Sequence, residues 1–190
     1  MTLRRRSLLI AGLAAAVRCP QARAGGQAEE QLADAVRTAL SAAVGDIAPP
    51  KPSFDTMDQR LAYLRWLSAA SERLKRRKVD YEARVAFLET VWYESKRKGL
   101  DPTLVLGLIQ VESAFRKYAI SSVGARGYMQ VMPFWARLIG DGNVDSLFHM
   151  QTNLRFGCVI LRHYLDVERG DLYLALGRYN GSRGRPEYPR

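Results

Sequence analysis

At 190 residues the chain is long enough for one substantial hydrophobic core with accessory helices, and short of what two large domains need. Its formal charge of +10, from 29 basic and 19 acidic residues, suits an anionic partner. No zinc-finger spacing and no interleaving of basic with aromatic residues accompanies that charge, so the pattern argues against nucleic acid as the partner.

The chain opens on Arg4-Arg5-Arg6, followed by an apolar run over residues 7–17 and then Ala22-Arg23-Ala24. A charged, an apolar and a small-residue region in that order read as a secretory signal peptide over residues 1–24, and the arginine run also suits twin-arginine export. The alternative is an amphipathic or anchor helix kept on the mature protein. Val17-Arg18 before Cys19 does not fit a lipidation box. Cleavage after Ala24 would remove five arginines and lower the charge to about +5, a value suited to the anionic envelope of a periplasmic protein. It would also remove Cys19 and leave Cys158 alone, so no intramolecular disulfide could form. No stretch after residue 17 is long and apolar enough to span a bilayer.

Residues 27–44 predict a weakly amphipathic helix with Leu32, Val36 and Leu40 on one side, and Pro49, Pro50 and Pro52 predict a stiff extended linker. Together they make an N-terminal segment, residues 25–54. An accessory helix within residues 55–79 carries Leu61, Leu64, Leu67 and Leu74 and ends in Lys75-Arg76-Arg77-Lys78, read as a solvated helix end. From residue 80 to 190 the chain reads as one further domain. Asp80 caps a helix with Tyr81, Val85, Leu88 and Trp92 as its buried stripe, and Gly99 stops it. Asp101 and Pro102 start the next helix as N-cap and first helical residue. Along it Val105, Leu108, Ile109 and Glu112 fall at i, i+3, i+4 and i+7, which places a carboxylate on the core-facing stripe. Desolvation there disfavours the charged form, as a general acid working near neutral pH requires.

A small-residue loop, 121–127, follows; Met132-Pro133 opens a short helix, 134–139; residues 145–150 connect onward. Residues 151–169 predict a long helix with Leu154, Cys158, Leu161 and Leu165 inside, and Asp171 caps a last segment over 172–181. No stretch alternates convincingly as a strand, so the fold class is all-α.

Several of these residues fall into a specific pattern: Glu112-Ser113-x-Phe115, Ala119-x-Ser121, Gly124-Ala125-x-Gly127 and Met129-Gln130-x-Met132-Pro133. The pattern resembles the active-site segment of the soluble lytic transglycosylases, goose-lysozyme-like enzymes that cleave peptidoglycan. Leu174-Ala175-Leu176-Gly177-Arg178-Tyr179-Asn180-Gly181 resembles a second family segment, and Asn153, Gly157 and Tyr164 fit an Asn-x-x-x-Gly…Tyr helix. The resemblance begins near Asp80. Tyr128 departs from it where leucine is common, and so does the end of the chain at Arg190, because the family's domain normally continues past Arg185-Pro186-Glu187-Tyr188-Pro189 with another helical segment.

The resemblance implies a lysozyme-like helical domain and a mechanism with one carboxylate. Glu112 would protonate the glycosidic oxygen between N-acetylmuramic acid and N-acetylglucosamine, then act as base on the muramoyl 6-hydroxyl, leaving a 1,6-anhydro end with no metal or other cofactor. Asp141, Asp145, Asp166 and Asp171 sit at turns, caps or helix ends, and none offers the second carboxylate that most glycosidases use. Ser113, Ser121, Met129, Gln130, Tyr164, Tyr179 and Asn180 would line the groove. Gln130 and Asn180 carry the donors and acceptors that acetamido groups need, Tyr179 a face for a sugar ring, and Met129 an adaptable apolar wall. His149 and His163 lack partners at metal-ligand spacing. The implied partners are peptidoglycan glycan strands, with an envelope-spanning assembly as a second class. Two other readings stand beside this one: a goose-type muramidase using water, and a non-catalytic glycan-binding scaffold.

Overall fold

Seven helices and a 3-10 turn carry the computed structural model, which describes residues 27–45 and 52–183. Residues 1–24, expected as a signal peptide, most of the expected proline linker and the last seven residues lie outside the described residues. In order the helices are α1 (Asp34–Val44), α2 (Met57–Leu74), α3 (Tyr81–Arg97), α4 (Pro102–Ser113), α5 (Pro133–Ile139), α6 (Met150–Val167) and α7 (Leu172–Asn180), with the 3-10 turn Val144–Phe148 before α6. Thr56, Asp80, Asp101 and Asp171 each accept a backbone N–H of the following first turn, so four of the seven starts are fixed by side-chain caps. Among the described residues there is no strand, only single bridges linking Arg126 to Ile120 and to Val131. The all-α expectation holds.

The molecule is built around α6. Every residue from 153 to 161 is buried, so α6 has no solvent side along that length, and α7, α3, α1 and the 3-10 turn surround it. Cys158 lies fully inside, and burial pushes its thiol well above the ordinary range, consistent with plain core. One charged pair crosses this interior: Arg155 Nε of α6 donates to buried Glu94 of α3 at 3.1 Å. Burial raises the Glu94 carboxyl above its ordinary value even though Arg155 and Arg97 pull the other way.

The structure corrects four details of the sequence expectation. Helix α1 begins at Asp34, and residues 27–33 have no regular secondary structure, with Gln27 and Glu30 held by contacts elsewhere in the fold. In α3 the buried stripe is Phe87, Leu88, Val91, Glu94 and Ser95, while Tyr81 is exposed; Trp92 instead meets Tyr63 and Trp66 of α2 at centroid distances of 5.1 and 5.0 Å. In α2, Leu61 and Leu64 are exposed and Tyr63, Ala70 and Leu74 carry the burial, since a helix packed on one partner hides a narrow stripe. Residues 145–150 are more than a connector: Asn143 caps the 3-10 turn, Asp145 pairs with Arg126 at 2.6 Å, and Leu147 is fully buried. At its far end α6 stops at Val167 because Arg169 and Gly170 take left-handed backbone conformations.

Candidate active site

Glu112 lies one residue from the end of α4, 4% exposed, with both carboxylate oxygens buried. The helix stops just beyond it because Ala114 and Phe115 both adopt positive φ, at 49° and 65°, an uncommon conformation for residues with a Cβ. Phe115 is buried and meets Phe87 of α3 edge-on at 6.1 Å, a contact that helps offset the cost of that turn.

The loop that follows is closed by its own hydrogen bonds. Ser121 Oγ accepts from the Ala125 N–H at 3.0 Å, the Gly127 N–H donates to the Ala119 carbonyl at 2.9 Å, and Arg126 and Val131 exchange both backbone bonds. Gln130, 2% exposed, sends both hydrogen bonds of its Nε2 into the loop, to the Ala119 and Gly127 carbonyls at 3.2 and 3.0 Å. These ties make the loop rigid.

Two helices pin the loop from below. Asn153 of α6, fully buried, accepts from the Met129 N–H at 2.8 Å and donates to the carbonyls of Arg126 and Leu147 at 2.9 and 2.8 Å. Tyr179 of α7, also fully buried, donates its hydroxyl to the Met129 carbonyl at 2.8 Å. Met129 is therefore held on both backbone atoms, and its side chain packs over Gly157. A Cβ at Gly157 would lie 2.2 Å from Met129 Sδ and 2.7 Å from Met129 Cβ. Gly157→Ala should therefore overpack this contact and cost about 1–3 kcal/mol, read as a lowered midpoint in thermal unfolding. A midpoint equal to the parent's would mean that Met129 is free to move aside.

The sequence-predicted residues fall into two groups. Met129, Gln130, Tyr179 and Tyr164 are brought together, Tyr164 meeting Tyr179 edge-on at 6.5 Å and Trp135 at 6.2 Å. Burial pushes the Tyr164 phenol up, with Glu30 adding to the effect and Arg178 opposing it. Asn180, half-buried, ends α7 beside Gly181, whose φ of 80° closes the helix. Ser113 and Ser121 spend their hydroxyls locally, Ser113 donating to Ile109 of its own helix at 3.2 Å. Tyr128 is buried and its hydroxyl accepts from Lys78 at 2.8 Å, so the loop is also tied to the end of the basic run after α2. Sequence reasoning missed Lys78 and Gln27 as neighbours of this loop. Only Lys78 left a trace, the mismatched tyrosine at position 128 that it bonds.

A buried carboxylate near the end of α4 and a hydrogen-bonded, glycine-containing loop after it in the chain stand in an all-helical frame, and the comparisons give that frame a family. The family described as Transglycosylase SLT domain matches residues 89–187, just over half of the chain, and the chain belongs to that family. It is similar to the transglycosylase of Enterobacteria phage PRD1, 36% identical over 100 residues that make up 53% of this chain and 36% of that protein. It is similar too to the membrane-bound lytic murein transglycosylase C of Actinobacillus pleuropneumoniae, 35% identical over 98 residues that are 48% of this chain and 24% of the relative. The chain thus spans about a third or less of the length of these relatives. An inactive mutant of the lytic transglycosylase Slt from Pseudomonas aeruginosa aligns over 66% of this chain and 22% of its own, at 28% identity and a TM-score of 0.47.

Proposed function

We propose that the protein is a peptidoglycan lytic transglycosylase acting outside the cytoplasm, with Glu112 as its single general acid and base. The observation that carries this reading is the burial of Glu112, 4% exposed, one residue from the end of α4 and followed in the chain by the loop that carries the family's residues. The names of the relatives, transglycosylase and lytic murein transglycosylase, support the same class of reaction.

In the proposed step Glu112 gives its proton to the bridging oxygen as the C1–O bond of N-acetylmuramic acid breaks. The oxocarbenium-like carbon is met by the sugar's own 6-hydroxyl oxygen, whose proton returns to Glu112. One C–O bond breaks and another forms, no water is consumed, and the acid is regenerated. Met129 and Gln130 underlie the loop surface on which the glycan is positioned, and Tyr179 acts through its grip on the Met129 carbonyl. Asn180 offers an amide at the end of α7, and Tyr164 backs Tyr179. Ser113, donating to Ile109, shapes the helix end, and Ser121, accepting from the Ala125 N–H, shapes the loop. Export through the signal peptide at residues 1–24 would bring the enzyme to its substrate in the periplasm. Among the described residues no helix is long and apolar enough to cross a membrane.

Mass spectrometry of the muropeptides released from purified sacculi tests the reading. Products ending in 1,6-anhydro-N-acetylmuramic acid, lighter by one water than their reducing counterparts, are expected. Reducing ends would make the enzyme a muramidase. Bound but uncleaved glycan would make it a scaffold.

A further inference from the structure

The non-helical residues before α1 reach the loop at residues 130 and 132 through Gln27. Gln27 is 4% exposed, whereas residues 28–31 beside it are exposed. Its carboxamide lies along the edge of the loop: Nε2 donates to the Gln130 carbonyl at 3.5 Å, and Oε1 accepts from the Met132 N–H at 3.3 Å. The loop's own pairing creates that edge. Val131 exchanges backbone bonds of 2.9 and 3.0 Å with Arg126, and this turns the flanking carbonyl of residue 130 and N–H of residue 132 to the opposite side. Farther along the segment Glu30 pairs with Arg178, which also pairs with Glu168; Arg183 and Arg178 hold the Glu168 carboxyl down to about 2. Leu32 packs on the core, and α1 then lies on α5 and α6.

We propose that residues 27–33 form a self-inhibitory strap, in which the Gln27 carboxamide occupies a backbone slot suited to an N-acetyl group and must be displaced before glycan binds. The inference rests on the proposed glycan substrate. An acetamido group and a glutamine carboxamide offer the same pair, a carbonyl acceptor and an N–H donor on one amide, and both glycan sugars carry an N-acetyl group. Only the side chain of Gln27 enters the slot while its neighbours stay in water, as a ligand group does on a tether. Both bonds are longer than the usual 2.9–3.0 Å, so the strap is a weak competitor rather than a plug. Glu30 acts at a distance from the slot, as the anchor that keeps the tether short and the local concentration of the carboxamide high.

The test uses the full chain, unaltered and with Gln27→Ala or Glu30→Ala, in calorimetric titration with N-acetylglucosamine tetrasaccharide and in steady-state digestion of sacculi. Losing two neutral hydrogen bonds of a tethered competitor should tighten tetrasaccharide binding roughly three- to tenfold in Gln27→Ala. KM should fall with it while kcat stays the same, and Glu30→Ala should move both constants in the same direction. Equal affinity in all three proteins would overturn the strap and leave the proposed function standing. Weaker binding by Gln27→Ala would overturn it too, making Gln27 a contact for the glycan. If no protein bound the tetrasaccharide or cleaved sacculi, the glycan site itself would fall, and the strap's role with it.

Discussion

Glu112→Gln should lower the rate of muropeptide release by about 1,000-fold, within the range expected when a general acid is removed from the transition state. Glutamine keeps the size and shape of the buried side chain, so the unfolding midpoint should stay within a few degrees of the parent's, and binding of the tetrasaccharide should persist. The combination matters. A variant that neither binds nor folds says nothing of chemistry, whereas one that binds and does not cleave isolates the proton transfer. Release at more than a tenth of the parent rate would remove Glu112 from the acid's role. Glu94 and Glu168 are the other buried carboxyls among the described residues, and both are tied to arginines, so neither offers a ready substitute.

The helical frame was legible because its signals are local. Asp80, Asp101 and Asp171 cap where an N-cap acceptor is expected, Pro102 and Pro133 stand at helix starts, and Glu112 lands on the buried stripe that its spacing from Val105 predicts. What failed were choices between faces of one helix. Tyr81 and Leu61 are apolar and at plausible spacing, yet they are exposed, because the partner that would cover them is chosen by the tertiary packing. The non-helical course of residues 27–33 was illegible for a stronger reason. Nothing in an alanine-rich amphipathic stretch announces that Gln27 will meet the backbone of residues 130 and 132, more than a hundred positions away. At the candidate site, the motif named the residues but not their work. Gln130 and Tyr179 look like ligands in a sequence, while in the fold their polar atoms brace the loop.

Asn153 shows how much rests on one such brace. It stands in an apolar helical run where a polar side chain has no reason to be unless it is fully bonded, and each of its polar atoms meets backbone: Met129 N–H, Arg126 carbonyl and Leu147 carbonyl. Asn153→Ala would strand the Met129 N–H and the Leu147 carbonyl in the interior and leave the Arg126 carbonyl with Val131 alone, and leaving a buried polar group unpaired costs about 1–3 kcal/mol. Allowing for relaxation of the loop, a loss of about 3–5 kcal/mol is expected, which for a chain of this size lowers the thermal midpoint by about 10 °C. Cleavage should fall more than tenfold even at temperatures where the variant remains folded, because the backbone of Met129 is no longer held at the site. Asn153→Asp separates bonding from size. Its carboxylate keeps the acceptor for the Met129 N–H but turns lone pairs toward two carbonyls, so its pKa in the folded protein should be raised above the unfolded value. The variant should then be most stable at acid pH and lose that stability as pH rises through the raised pKa. A midpoint for Asn153→Ala within about 2 °C of the parent would mean that water replaces the amide at little cost, and that the loop is held by Tyr179 and its own hydrogen bonds alone.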